Sequence, residues 1–180
     1  MHSLGSIICL VATLTVCLNV AKGDIELKET GWSIGREESD DREFVCPPDE
    51  VMIGRQHYGD ENDDTSYLCA RLELDEQWIG ITNDDSWSAP QKESESSYTC
   101  ENGKVMVGRY HLNDENGDTQ YLCGVFQSSI IQLNELDWSE PPQQESRSFF
   151  VCGSNQVMIG RSHDGDENGD TKYKCAEVQE

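Results

Sequence analysis

The sequence predicts an all-β protein made of three pseudo-symmetric, disulfide-linked repeats, and three observations carry that prediction. The phrase GRYHLNDENGDTQYLC at 108–123 has near-copies at 54–69 and 160–175. Six cysteines fall into three pairs with one common spacing. Short runs rich in Val, Ile, Tyr and Phe are separated by Gly, Pro, Asn and Asp, and no stretch sustains a helical period over ten residues.

Aligned on the cysteines, the units span about 25–73, 79–127 and 131–178, offset by 54 and 52 residues. Each opens with a short apolar strand: 25–27, 79–81 or 131–133. A tryptophan follows (Trp32, Trp87, Trp138), then a polar Ser/Glu-rich stretch, then an aromatic strand ending in cysteine (EFVC, SYTC, FFVC). A turn leads into VMIG or VMVG, the Arg-x-His pair, an acidic loop and the strand of the second cysteine. About four strands per unit gives roughly twelve. Three units without a distinct capping repeat favour closure, as a β-trefoil or a β-prism-like body. The recurring tryptophans are expected in the core, and Trp78, outside the pattern, at the surface.

Residues 1–23 read as a secretory signal peptide, with an uncharged apolar run from Leu4 to Ala21 and small residues at Ala21 and Gly23. The single domain is then 24–180, secreted and extracellular. Cys9 and Cys17 leave with the leader. The six remaining cysteines are 23 apart in pairs, so identical repeats predict Cys46–Cys69, Cys100–Cys123 and Cys152–Cys175. Each closed loop contributes about 3 kcal/mol on the chain-entropy model. No Cys-x-x-Cys pair is present to suggest zinc.

Thirty-five acidic residues against 13 Lys and Arg give a formal charge of −22. That field repels nucleic acid and anionic membranes, and no later segment is apolar enough for membrane insertion. Cations, basic proteins or mineral are favoured instead. No P-loop, HExxH or nucleophile elbow occurs, so no enzyme is expected.

Comparison of the three phrases separates constant from variable positions. Constant are Gly-Arg-x-His, Asp-Glu-Asn and Asp-Thr-x-Tyr-x-Cys. By strand alternation Arg and His share one face, Thr, Tyr and Cys share another, and variable neighbours such as Gln56, Leu68 and Leu122 look to solvent. Asn-Gly explains the turn, but not the flanking Arg, His and carboxylates. One reading is scaffold: arginine–carboxylate bridges copied by duplication. The other is a polar glycan site in each repeat. Arg55, His57, Asp60, Glu61, Asn62, Asp64 and Tyr67 form the first. Arg109, His111, Asp114, Glu115, Asn116, Asp118 and Tyr121 form the second; Arg161, His163, Asp166, Glu167, Asn168, Asp170 and Tyr173 form the third. Arg and His would donate to sugar hydroxyls, the acids and Asn accept, and Tyr pack a ring. Three weak sites on one body gain avidity for glycans or glycoproteins.

Calcium is a further expectation. Asp60, Asn62 and Asp64, Asp114, Asn116 and Asp118, and Asp166, Asn168 and Asp170 set oxygens at alternate positions, as calcium loops do. The EF-hand pattern then stops, with Arg71 and Val125 where glutamate is required and only Glu177 fitting.

The segment Asp41-Arg42-Glu43-Phe44-Val45-Cys46, followed by Pro47 and Val51-Met52-Ile53, resembles the dermatopontin family of secreted matrix proteins. The resemblance implies an all-β, disulfide-linked extracellular protein with a role in matrix assembly, cell agglutination or mineralised matrix. The Asp-Arg-Glu phrase stands once, and no site residue is carried over from it. An acidic, calcium-associated extracellular or biomineral matrix protein is therefore the alternative to a lectin-like one.

Overall fold

A computed structural model describes residues 23–37, 42–60, 62–114 and 116–180. The expected leader lies, Gly23 apart, outside them, as do Glu61 and Glu115. The first repeat supplies β1 (Ile25–Trp32), β2 (Arg36–Glu37), β3 (Arg42–Val45), β4 (Val51–Tyr58) and β5 (Asp64–Leu74). The second supplies β6 (Gln77–Ile79), β7 (Ile81–Asn83), β8 (Gln91–Lys92), β9 (Ser97–Thr99), β10 (Val105–His111) and β11 (Asp118–Phe126). The third supplies β12 (Gln132–Trp138), β13 (Gln143–Gln144), β14 (Arg147–Val151), β15 (Gln156–Asp164) and β16 (Asp170–Gln179). In the first and third repeats four longer strands are joined by a two-residue strand from the polar linker, whereas in the second β6, β7 and β9 are only three residues each. Among the described residues the one other regular element is a 3₁₀ turn, Glu93–Glu95.

These strands form three similar antiparallel sheets. Their orders are β1-β5-β4-β14, β3-β10-β11-β7 and β12-β16-β15-β9, with β2 and β6 on β5, β8 on β11, and β13 on β16. In each order the terminal strand next to the Val-Met-Ile/Val-Gly strand comes from another repeat. The first repeat lends β3 to β10, the second lends β9 to β15, and the third returns β14 to β4. The exchange closes a ring.

The disulfides staple that exchange. Cys46–Cys69, Cys100–Cys123 and Cys152–Cys175 all form, each with Cα atoms 6.0 Å apart. One cysteine of each pair extends the lent strand: the amides of Cys46, Cys100 and Cys152 donate to the carbonyls of Val107, Ile159 and Ile53. The other lies in β5, β11 or β16 of the home sheet. Each bond therefore ties two neighbouring sheets. Three such bonds are the mark of folding in an oxidising environment. Among the described residues, no helix is long and apolar enough to cross a membrane.

The strands β4, β10 and β15 also approach one another pairwise, bringing Val51, Val105 and Val157 into one apolar core. A second cluster holds Met52, Met106 and Met158 with the cystines and three tyrosines. The register shifts at Met52/Gly54, Met106/Gly108 and Met158/Gly160, a bulge in every repeat. The bulge resets the alternation, so Met52, Arg55 and His57 sit opposite Cys69, Tyr67 and Thr65. Arg, His, Thr, Tyr and Cys consequently share the interior face rather than two different ones. The other side is not simply solvent either, since Leu68 and Leu122 are buried.

Glycine at the bulge answers a steric demand. A Cβ on Gly54, Gly108 or Gly160 would lie 2.9, 2.7 or 2.8 Å from the carbonyl oxygen of Phe150, Phe44 or Tyr98 on the incoming strand. The tryptophans divide. Trp87 packs half-buried against the apolar core, whereas Trp32 is 36% exposed, correcting its expected core position. Trp78 is 54% exposed, as expected, with the Arg71 guanidinium 5.8 Å from its ring centroid.

Candidate functional site

The acidic turn is built by its own aspartate. Asp60, Asp114 and Asp166 each accept, through Oδ1, the amide of Asn62, Asn116 or Asn168 at 2.9–3.0 Å. This Asx turn explains why Asp-x-Asn is constant. The turn then holds the linker beside it. The amides of Glu93 and Glu145 donate to the carbonyls of Gly117 and Gly169, and Ser146 donates to Glu167 O.

That docking aims two glutamates inward, where the repeated arginines wait. Arg55, Arg109, Arg161, Glu93 and Glu145 are all 6% exposed or less. Arg161 Nη1 lies 2.6 Å from Glu93 Oε1, and its Nη2 lies 2.9 Å from Glu145 Oε1. Glu145 also binds Arg55 Nη2 at 2.6 Å, and Glu93 binds Arg109 Nη2 at 2.9 Å. Each glutamate thus bridges two repeats. The tyrosines do the same: Arg55, Arg109 and Arg161 donate to the hydroxyls of Tyr173, Tyr67 and Tyr121 at 3.2–3.4 Å. Each arginine also donates to the threonine of its own repeat, Thr65, Thr119 or Thr171. By sequence count after the β2 pair, Glu38 matches Glu93 and Glu145, but it lies outside the described residues.

Burial opposes the charge on Arg161, but Glu145 and Glu93 outweigh it and raise its pKa well above the ordinary arginine value. His163 behaves oppositely. Burial first, and the neighbouring Arg161 cation second, lower its pKa below that of free histidine, while Nδ1 rests 3.1 Å from Thr171 Oγ1. Linkage then has one sign. The unfolded chain takes up this proton first as pH falls through about 6.5, so the contribution is intact above that pH and stability is lost below it. Thermal midpoints measured from pH 8 to pH 5 should fall on the acid side. His163→Gln should make that fall shallower; an unchanged slope would contradict the assignment.

Of the residues singled out in the sequence, Arg55, His57, Tyr67, Arg109, His111, Tyr121, Arg161, His163 and Tyr173 are buried and brought together inside. Asp60, Asn62, Asp64, Asp114, Asn116, Asp118, Asp166, Asn168 and Asp170 are exposed at three hairpin ends, and Glu167 is partly so. The two sets face different environments and do not form one site. Among the described residues, no group of three or more His, Cys, Asp or Glu is arranged to hold a metal ion. Glu93, Glu145 and the buried Ser148 escaped the sequence reading. Their signal was present as Glu-Ser-x-Ser, recurring seven residues before Cys100 and Cys152.

The accessible features lie outside the sheets. A groove of about 440 Å³ beside the Cys46–Cys69 bond is lined by Trp32, Arg36, Phe44 and Glu50. A groove of about 390 Å³ occupies the corresponding place in the second repeat, with Trp87, Tyr98, Asp84 and Lys104. Next to the first, Trp32 and Phe149 pair across the outer face with ring centroids 5.6 Å apart. Phe149 is 50% exposed and Tyr58 57%.

No family model, curated protein or solved structure matches the chain.

Proposed function

We propose that the protein is a secreted, non-catalytic glycan-binding protein that uses the outer sheet faces. The observation supporting this is the exposed Trp32–Phe149 pair opening onto the Trp32 groove. Aromatic rings present a flat apolar surface to the face of a sugar, and adjacent polar groups fix its hydroxyls. Gln56 sits directly opposite Phe149 and supplies an amide at that spot. The buried Arg, His and Tyr of the repeated phrase then serve as scaffold, holding these faces in place. In the same reading the three sheets are the sides of a closed, prism-like body, and the Trp87 groove is a second, weaker site.

The alternative reading, an acidic calcium-associated matrix protein of the kind the dermatopontin-like phrase implies, is favoured by the exposed aspartates at all three hairpin ends. One experiment separates them. The oxidised protein is applied to a glycan array with calcium or with EDTA, beside Trp32→Ala. Binding that persists in EDTA and falls at least about tenfold in the variant, roughly 1.4 kcal/mol, supports the outer-face site. Binding that needs calcium and ignores Trp32 supports the acidic loops.

A further inference from the structure

The first sheet departs from the other two in a way the fold does not require. At the position of Phe149, three residues before the cysteine, the other repeats carry Glu43 and Ser97. At the position of Arg147, five residues before it, they carry Asp41 and Glu95. The same scaffold therefore tolerates acidic or small residues at both places. Through strand exchange, β14 brings Arg147 and Phe149 to the first sheet, where Arg147 pairs with Tyr58 and Phe149 with Gln56. Residues two apart on a strand face the same way, so Arg147 and Phe149 stand side by side on the exposed face.

Charge accounting makes the same sheet exceptional. With 35 acids for 13 Lys and Arg, a cation on this surface has carboxylates in surplus. Setting aside Arg42, whose side chain is not described, every other described lysine or arginine side chain has a carboxylate within 4.0 Å except Arg36, Lys92 and Arg147. Lys92 at least lies directly across from Asp118. Arg36 and Arg147 lie across from Thr65 and Tyr58, and both belong to the first sheet. Arg36 also lines the Trp32 groove. Two exposed arginines without a carboxylate partner thus stand at this end of the sheet, Arg147 beside Phe149 on the exposed face and Arg36 on the wall of the Trp32 groove.

Building on the glycan reading, we infer that the outer face of the first sheet binds an acidic sugar, one bearing a carboxylate or a sulfate. The rings of Trp32 and Phe149 pack against the pyranose, and the guanidinium forks of Arg36 and Arg147 donate to the anionic group, a geometry that favours arginine over lysine. The overall negative charge does not forbid this, because at 0.15 M salt fields are screened beyond about 8 Å while the two arginines act at contact.

The test is a panel of uronate-, sialate- and sulfate-bearing oligosaccharides with their neutral counterparts, at fixed 0.15 M NaCl. Wild type is compared with the double variant Arg36→Gln/Arg147→Gln and with Lys92→Gln, with near-ultraviolet circular dichroism checking each fold. The expected result is a preference for one acidic class, reduced at least about tenfold in the double variant and unchanged in Lys92→Gln. Equal binding of neutral counterparts, or a double variant that binds as well as wild type, overturns the acidic assignment and leaves the glycan reading standing. Binding to no member of either panel overturns both.

Discussion

Replacing Arg161 by methionine is expected to remove about 3–5 kcal/mol of folding stability, the usual cost of breaking a buried ion pair by deleting one partner. Arg161 is 1% exposed and contacts both Glu93 and Glu145 at 2.9 Å or less. Methionine fills much of the volume but leaves both carboxylates deprived of their shared cation, and neither can reach water without opening the interior. A domain of this size has only about 5–15 kcal/mol in total. The urea midpoint of Arg161→Met should therefore fall steeply, or the variant should fail to accumulate folded. Arg161→Lys tests the geometry separately. It keeps the charge but has no fork to span two glutamates, so it should fall between wild type and methionine. A loss below about 1 kcal/mol for methionine would mean that the network is as weak as a surface pair.

The second large effect concerns the Cys152–Cys175 bond, which joins the returning strand β14 in the first sheet to β16 in the third. Removing it as the double variant Cys152→Ser/Cys175→Ser leaves no stray thiol. The chain-entropy model assigns a loop of this length about 3–4 kcal/mol. The expected result is a loss of that order, with the outer face of the first sheet, proposed above to bind ligand, affected too, because β14 carries Arg147 and Phe149. Equilibrium unfolding of the double variant measures the first effect, and the change in amide exchange across β14 and β4 measures the second. A variant as stable as wild type, with β14 amides still protected, would show that the exchanged strand needs no staple.

Much of this architecture was legible in the chain. Cysteines 23 apart, three times over, dictate the repeat and the pairing together, because identical units make identical bonds. Strand exchange was not legible. Glu43–Val45 pair with Gly108–Tyr110 of the second repeat rather than with the matching Gly54–Gln56 of their own, and near-identical repeats offer the same hydrophobic pattern to either partner. The bulge was hidden for a related reason. One extra residue between Met52 and Gly54 reverses the parity of everything after it in β4, and a period of two read straight along that strand puts Arg55 and His57 on the wrong face. The repeated phrase was legible as a turn but not as a clasp, since the glutamates it orients lie in a polar linker that looked like loop. Phe149 and Arg147 stand out only once the sheets are assembled, because their neighbours come from a different repeat.

The ring of lent strands bears on how the molecule comes apart. In an open stack of repeats, an end unit frays and its neighbours survive, so unfolding proceeds piecemeal. Here each sheet is completed by a strand of another repeat, and Glu93 and Glu145 each bridge the arginines of two repeats. No unit is terminal and none can melt alone without stripping an edge from the next. The molecule has the sequence of a tandem array and the cooperativity of a single undivided body.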